Sequence, residues 1–229
     1  DIGARDLSFA LWSEPEENFS CIAFEPDLKE FEKLSKSKDS FGFKELLILP
    51  YGISDKQGTS KLYITKQPGC SSFKKPIEKF DEKFGRDGNF IIDHEIEVNV
   101  NTLDYAIEDN NIAQDASFIM KIDVEGGELD CLKGFEKNID KLLFAQVEVN
   151  FLNYREGQNS AGSILDFFRV HNFNLISIKD LGEYRFSGEA KYDPNQENFL
   201  KKQANGYPVY SIGTNCSCDF IFLKDPDYV

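Results

Sequence analysis

Short apolar runs alternate with amphipathic stretches along most of this chain, and that alternation leaves few architectures open. FSCIAF (Phe19 to Phe24), ELLIL (Glu45 to Leu49), SFIMKIDV (Ser117 to Val124), LLFAQVEV (Leu142 to Val149) and the run Phe173 to Ile178 each read as a strand. Helical spacing fills the intervals. Asp27 stands as an N-cap with Glu30 three residues on and Leu28, Phe31 and Leu34 on one face. Leu129, Leu132 and Phe135 share a second face, and Ser163 is expected to cap a third helix with Ile164, Leu165 and Phe168 inward. Asp219 to Leu223 (DFIFL) adds a late strand. Strand and helix in turn predict an α/β fold with a parallel sheet.

One stretch breaks the rhythm. Between Asp55 and Ala116 two β-like pieces, Ser60 to Thr65 and Glu95 to Val100, flank a Pro- and Gly-punctuated loop from Gln67 to Pro76, and a helix starts at Thr102 or Leu103. This is a β-rich insertion ahead of the fourth strand. Gly182 to Thr214 reads as a polar loop dotted with aromatics. No repeat divides the chain, so a single domain over residues 1–229 is expected. Asp1-Ile2-Gly3-Ala4 reads as a turn leaving a strand, which places that first strand upstream of Asp1.

Composition narrows the partners. Against 26 Lys and Arg stand 40 Asp and Glu, a net charge of −14 that repels a phosphate backbone and makes nucleic acid a poor substrate. No apolar run approaches the ~20 residues of a membrane-spanning helix. Five cysteines, an odd set without a disulfide framework, fit a reducing cytoplasm. Cys216-x-Cys218 has no second pair of Cys or His to complete a zinc site, so no metal is expected there.

Ligands of open α/β sheets bind beyond the carboxyl ends of the strands. Those ends carry Asp1 and Gly3, Glu25, Ser54 and Asp55, Asp123 and Glu125, and Glu148. Carboxylates dominate, which disfavours a dinucleotide phosphate and suits an adenosyl group carrying a sulfonium. Glu25 ends its strand 22 residues after Gly3, where an acidic side chain takes both ribose hydroxyls, and Pro26 with Asp27 fixes the turn behind it. Gly3 has no second or third glycine of a phosphate-binding loop, which argues against a nicotinamide cofactor.

Taken together, the runs Asp1-Ile2-Gly3-Ala4, Ala23-Phe24-Glu25-Pro26, Gly52-Ile53-Ser54-Asp55, Leu62-Tyr63 with Ser71-Ser72, Thr102-Leu103-Asp104 and Lys121-Ile122-Asp123-Val124-Glu125-Gly126 resemble the FkbM family of methyltransferases, from about Asp1 to Phe151. The resemblance implies a Rossmann-like class I methyltransferase sheet, mostly parallel with an antiparallel last strand and helices on both faces. It implies S-adenosyl-L-methionine as methyl donor and O-methylation of a sugar, such as one of a surface polysaccharide, or of another small alcohol. By the same resemblance Asp1, Gly3 and Ala4 line the methionine part, Glu25 the ribose, Ser54 and Asp55 the adenine, and Asp123 the amino group and sulfonium, with Ser71 and Ser72 closing over the cofactor.

An alcohol must lose a proton as it attacks, and Glu125, Glu148 and Asp123 are the candidate bases. Asp123 and Glu148 sharing a divalent ion is an open alternative. Tyr154, Tyr184, Phe186, Tyr192, Phe199, Tyr207 and Tyr210 offer rings for an acceptor or pins for a loop. Arg5, Asp6, Leu7 and Ser8 stand where the family shows a second glycine, which keeps a non-catalytic binding or assembly module as the other reading.

Overall fold

The computed structural model describes residues 1–5, 7, 19–78, 80, 88–112, 114–185 and 213–228, with backbone alone for 182–185, 213–215 and 228. The fold is mixed α/β. In chain order come β1 (Ser20–Phe24), α1 (Leu28–Lys36), β2 (Glu45–Leu49), β3 (Gly52–Ile53), β4 (Gly58–Thr65), β5 (Ile92–Asn101), α2 (Leu103–Asp109) and β6 (Phe118–Ile122). There follow α3 (Glu128–Lys133), β7 (Leu142–Asn150), α4 (Ala161–Val170), β8 (Phe173–Arg185) and β9 (Gly213–Lys224).

β1 and β2 run parallel, as do β6 and β7, while β9 lies antiparallel between β7 and β8. One residue joins the two sets. Ile2 bridges in parallel to Phe24 on one side and Ile122 on the other, its N–H donating to the Lys121 carbonyl and its carbonyl accepting from Asp123. The strands therefore stand in the spatial order β2, β1, Ile2, β6, β7, β9, β8. Below Ile2 the facing edges of β1 and β6 pair with no other described strand, and an apolar groove of about 480 Å³ lies between them, lined by Cys21, Ile22, Leu103, Met120 and Phe135 among others.

Alternation along β1 shows how the layers form. Cys21 and Ala23 pack with Leu34 of α1 and Leu46 of β2 on one face. Phe24 joins the main core on the other face, where Leu103 and Ala106 of α2, Cys131 and Leu132 of α3 and Ile164 and Phe168 of α4 cover Ile122, Val147 and Phe222. Helices thus cover both faces. A separate sheet, ordered β3-β5-β4, is built from the long connection, with β4 antiparallel to β5.

Local capping follows side-chain chemistry. Asp27 and Thr102 accept from backbone N–H groups two and three residues on, as expected of N-caps. The cap expected at Ser163 moves. Ser160, not Ser163, is the N-cap of α4, because Ser160 holds the extended backbone (φ −90°, ψ 153°) and its hydroxyl accepts from Ser163 N–H. Ser163 lies inside the helix and donates back to the Ser160 carbonyl. β8 and β9 also reach well beyond Ile178 and Asp219 into the stretch read as loop, because a hairpin with one wet face tolerates the polar residues Lys179 and Asp180. Gly52-Ile53 pairs in parallel with Val100 and Asn101 of β5.

Candidate active site

The chain turns sharply where it leaves Ile2. Gly3 has φ +83°, and a Cβ there would lie 1.9 Å from the Asp123 carbonyl oxygen, so only glycine lets the turn rest against the end of β6. This contact brings the carboxyl ends of β1 and β6 side by side and opens a polar pocket of about 200 Å³. Its floor carries Gly3, Glu25, Pro26, Lys121, Asp123 and Glu125. The β4-β5 sheet and the loop after it supply the roof, through Leu62, Ile64, Ser71, Ser72 and Phe73.

Each acid on the floor is held differently. Glu25 is buried, and one oxygen accepts from the Asp27 N–H at 2.8 Å while the other makes no hydrogen bond among the described residues. Burial pushes its carboxyl up to about 7, with the Asp27 N–H and Arg5 pulling the other way. Asp123 is half exposed and takes a hydrogen bond from Lys121 Nζ at 3.4 Å. Lys121 also lies 4.0 Å from Asp1, whose two carboxylate oxygens are buried without a hydrogen-bond partner.

Glu125 sits at φ +61°, a conformation that a non-glycine side chain adopts only when its surroundings insist. Two groups insist. From below, the fully buried Glu128 accepts from Gly126 N–H at 2.8 Å, and burial lifts its carboxyl to about 7. From above, the Ser72 hydroxyl lies 2.9 Å from the Glu125 carbonyl oxygen and 3.2 Å from that of Val124. The Glu125 side chain meets Arg155 at 3.0 Å and the Tyr154 hydroxyl at 3.2 Å, both through Oε2. Burial raises its carboxyl, and Arg155 opposes that.

Of the residues read from the sequence, Gly3, Glu25, Pro26, Ser72, Asp123 and Glu125 meet around this pocket. Asp1 lines the apolar groove instead, Ala4 is fully buried, and Ser54 and Asp55 bond to each other outside the pocket. Glu148 is half-buried near Glu125 and Asp123. Its Oε2 has no hydrogen-bond partner, and burial, with repulsion from Glu125 and Asp123, holds its carboxyl well above the usual range. No group of three His, Cys, Asp or Glu suited to a metal ion occurs among the described residues. Phe186, Tyr192, Phe199, Tyr207 and Tyr210 lie outside the described residues, as does the side chain of Tyr184.

Sequence reasoning missed Lys121, Glu128 and Arg155 as parts of the site. Lys121 was within reach, since two residues along a strand from Asp123 puts both on one face. Arg155 carried no such signal.

Four residues of the pocket, with Asp1 next to it, fit an adenosyl cofactor bearing a sulfonium. Glu25 offers an unbonded carboxylate oxygen for a diol, Gly3 permits close approach, and Asp123, Glu125 and the neighbouring Asp1 set negative charge around a cation. A volume of about 200 Å³ is below the ~300–1,000 Å³ that encloses a drug-sized ligand, so the pocket holds part of such a molecule. Among the described residues no helix is long and apolar enough to cross a membrane. The family described as the methyltransferase FkbM domain matches residues 1–175, over three quarters of the chain. No curated protein and no solved structure matches it.

Proposed function

Since the chain belongs to the FkbM methyltransferase family, and is a methyltransferase, we propose that it transfers a methyl group from S-adenosyl-L-methionine to a hydroxyl of a carbohydrate or other small alcohol. The observation that carries this reading is the meeting of Glu25, Asp123 and Glu125 around the Gly3 turn in one pocket. The sheet order through Ile2 supports a Rossmann-like class I sheet, with β3, β4 and β5 as its insertion in a single domain.

Bound there, the cofactor supplies an electrophilic methyl group on a sulfonium. The protein's part is to hold and to discharge. Glu25 accepts from the two ribose hydroxyls, and Asp123 with Asp1 offsets the positive charge of the methionine end. Leu62, Ile64 and Phe73 in the roof exclude water, which strengthens these charges. Glu125 is the best placed base. One of its oxygens is held by Arg155 and Tyr154, the other makes no hydrogen bond among the described residues, and the residue lines the pocket. Glu148 has its carboxyl held well above the usual range by burial and by repulsion from Glu125 and Asp123, and Asp123 is engaged by Lys121.

The net charge of −14 supports a neutral acceptor over nucleic acid. The odd set of five cysteines, spaced without a disulfide framework, supports a reducing cytoplasm. The apolar lining of the groove between β1 and β6, strands that Ile2 bridges at one end, supports a further proposal, that an extended segment leading into Asp1 fills it.

Calorimetric titration with S-adenosylmethionine and S-adenosylhomocysteine tests the cofactor, followed by a screen of sugar acceptors with labelled methyl donor. Micromolar binding of both is expected. A folded chain that binds neither overturns the cofactor assignment, and label on a nitrogen or carbon acceptor alone overturns the hydroxyl.

A further inference from the structure

The turn that carries Glu125 is fastened by a side chain that does not itself line the pocket. Arg155 is buried and its guanidinium reaches two separate parts of the site. Nη2 donates to Glu125 Oε2 at 3.0 Å and to the Cys70 carbonyl, while Nη1 donates to the Lys74 carbonyl at 3.3 Å. Cys70 and Lys74 bracket the Ser71–Phe73 stretch of the roof. The guanidinium also lies 5.3 Å from the Phe90 ring and 5.2 Å from that of Tyr154, so it is held by aromatic rings as well.

The same neighbourhood is zipped by backbone. Ile77 N–H donates to the Tyr154 carbonyl, Glu156 N–H donates to that of Lys75, and Gln158 Oε1 accepts from both Tyr154 and Arg155 N–H. These contacts suffice to dock the roof loop against the segment after β7. They do not require an arginine. What the arginine adds is a charge-assisted, directional bond to one oxygen of Glu125, which fixes the rotation of that carboxylate and leaves Oε1 without a hydrogen bond among the described residues. Among the described residues Glu125 is its only carboxylate partner within salt-bridge distance.

We propose that Arg155 is the positioning residue of this site, setting the base Glu125 and the roof over the pocket through one guanidinium. The assignment rests on reading Glu125 as the base. Roof closure and base orientation are then a single event, because displacing residues 70–74 also frees the guanidinium that aims the carboxylate.

The groups facing Glu125 are Asp123 at the end of β6, Glu128 of α3, Glu148 of β7, and Tyr154 and Arg155 of the following loop. Removing the one cation from this set leaves an acid among acids, and its proton affinity rises. Carboxyl-13C glutamate labelling of the whole chain reads this directly, with the Glu125 signal identified by its loss in Glu125→Gln. The expected result is a Glu125 midpoint at least one pH unit higher in Arg155→Met than in the unaltered chain, with most of the shift absent in Arg155→Lys. Amides of residues 70–74 should exchange at least tenfold faster in the Met variant. If Arg155→Met does not fold, Arg155→Gln, which keeps a donor and loses the charge, gives the same comparison.

An arginine that only braces the fold would lower the melting temperature and leave the Glu125 midpoint within a few tenths of a unit, and that overturns the proposal. S-adenosylhomocysteine titrated into the unaltered chain keeps the two readings apart. Failure to bind it breaks the cofactor assignment and leaves the midpoint comparison standing.

Discussion

At their N-terminal ends β1 and β6 enclose an apolar groove of about 480 Å³, walled by Cys21, Ile22, Met120 and Phe135. At their carboxyl ends, the same two strands open onto a polar pocket of about 200 Å³ holding Glu25, Asp123 and Glu125. Size and apolarity favour the groove as a ligand site, and the default search for a large apolar cavity would choose it. Its lining is predominantly apolar, with Asp1, Ser20 and Ser117 as its polar members. The pocket is smaller, yet burial pushes up the carboxyls of Glu25 and Glu125, and Glu125 sits at a strained backbone position. An apolar hole costs a protein packing, which a strand can restore. Buried carboxyls cost electrostatic energy that neighbouring side chains here do not fully offset, and that pattern is the mark of a site kept for a ligand.

The sharpest break of the comparison is at the residue joining the two ends. Gly3→Ala places a Cβ 1.9 Å from the Asp123 carbonyl at φ +83°, so the turn must move away from β6. A loss of about 3 kcal/mol or more in stability is expected, with S-adenosylhomocysteine binding falling below detection. Gly58→Ala is the control, since nothing lies within 4 Å of a Cβ there and the cost is limited to its φ of +150°. Equal melting temperatures and equal affinities for the two variants would show that the Gly3 turn does not organise the pocket.

The groove answers to a different change. A chain extended by five or six residues ahead of Asp1, apolar at alternate positions, should gain about a few kcal/mol over one with polar residues there. Each inward side chain contributes ~1.5–3 kcal/mol and each ladder hydrogen bond ~1 kcal/mol, against ~1–2 kcal/mol per residue of lost backbone freedom. Chemical denaturation of both extended chains measures it. Identical midpoints for the apolar and polar extensions would mean that the groove does not accept a strand.

Glu25→Gln tests the pocket's side of the comparison, and its two effects should have opposite signs. Affinity for S-adenosylhomocysteine should fall at least tenfold, since an amide accepts from a diol through one oxygen only. Stability at pH 8 should rise by ~1–2 kcal/mol. The sign follows from a folded value of about 7 against an ordinary 4.5. Below pH 4.5 the carboxyl is protonated in folded and unfolded chains alike and contributes nothing. Between 4.5 and 7 the folded chain binds the proton more tightly, so stability falls as pH rises, to a full penalty of at most about 3 kcal/mol above 7. Glu128, also lifted to about 7, adds to the same slope. Melting temperature followed from pH 5 to 8 should therefore decline in the unaltered chain and decline less in Glu25→Gln. A flat profile in both would remove the electrostatic cost on which the contrast rests.

These positions differ in how visible they were in the sequence. Glu45 to Leu49 is a strand with those very bounds, Asp27 caps as expected and a helix starts at Leu103, because apolar runs and side-chain caps are decided within a few residues. Glu25, Asp123 and Glu125 were legible as well, since parallel strands deliver their carboxyl ends to one edge. Distance along the chain hid the rest. Arg155 meets Glu125 from 30 residues away and Lys74 from 81, and no period or motif ties them. The long β8-β9 hairpin was masked by its polar wet face, and Ser160 by a second serine three residues on that is equally suited to capping. Ser54 and Asp55, placed by resemblance near the adenine, bond to one another away from the pocket, where the β3 pairing with β5 has carried them.

The smallest expected effect concerns the seam between roof and floor. The Ser72 hydroxyl is buried, accepts from the Lys74 N–H at 3.0 Å and faces the carbonyls of Val124 and Glu125. Ser72→Ala removes these bonds without adding bulk, so the roof loses its direct tie to the Glu125 turn while Arg155 retains the indirect one. About 1 kcal/mol of stability is expected to go, with a few-fold weaker S-adenosylhomocysteine binding measured by calorimetry. A loss as large as that of Gly3→Ala would mean that the roof, and not the strand ends, holds the pocket together. No change in affinity would mean that the roof does not close on the ligand, and the polar pocket would then be formed by β1 and β6 alone.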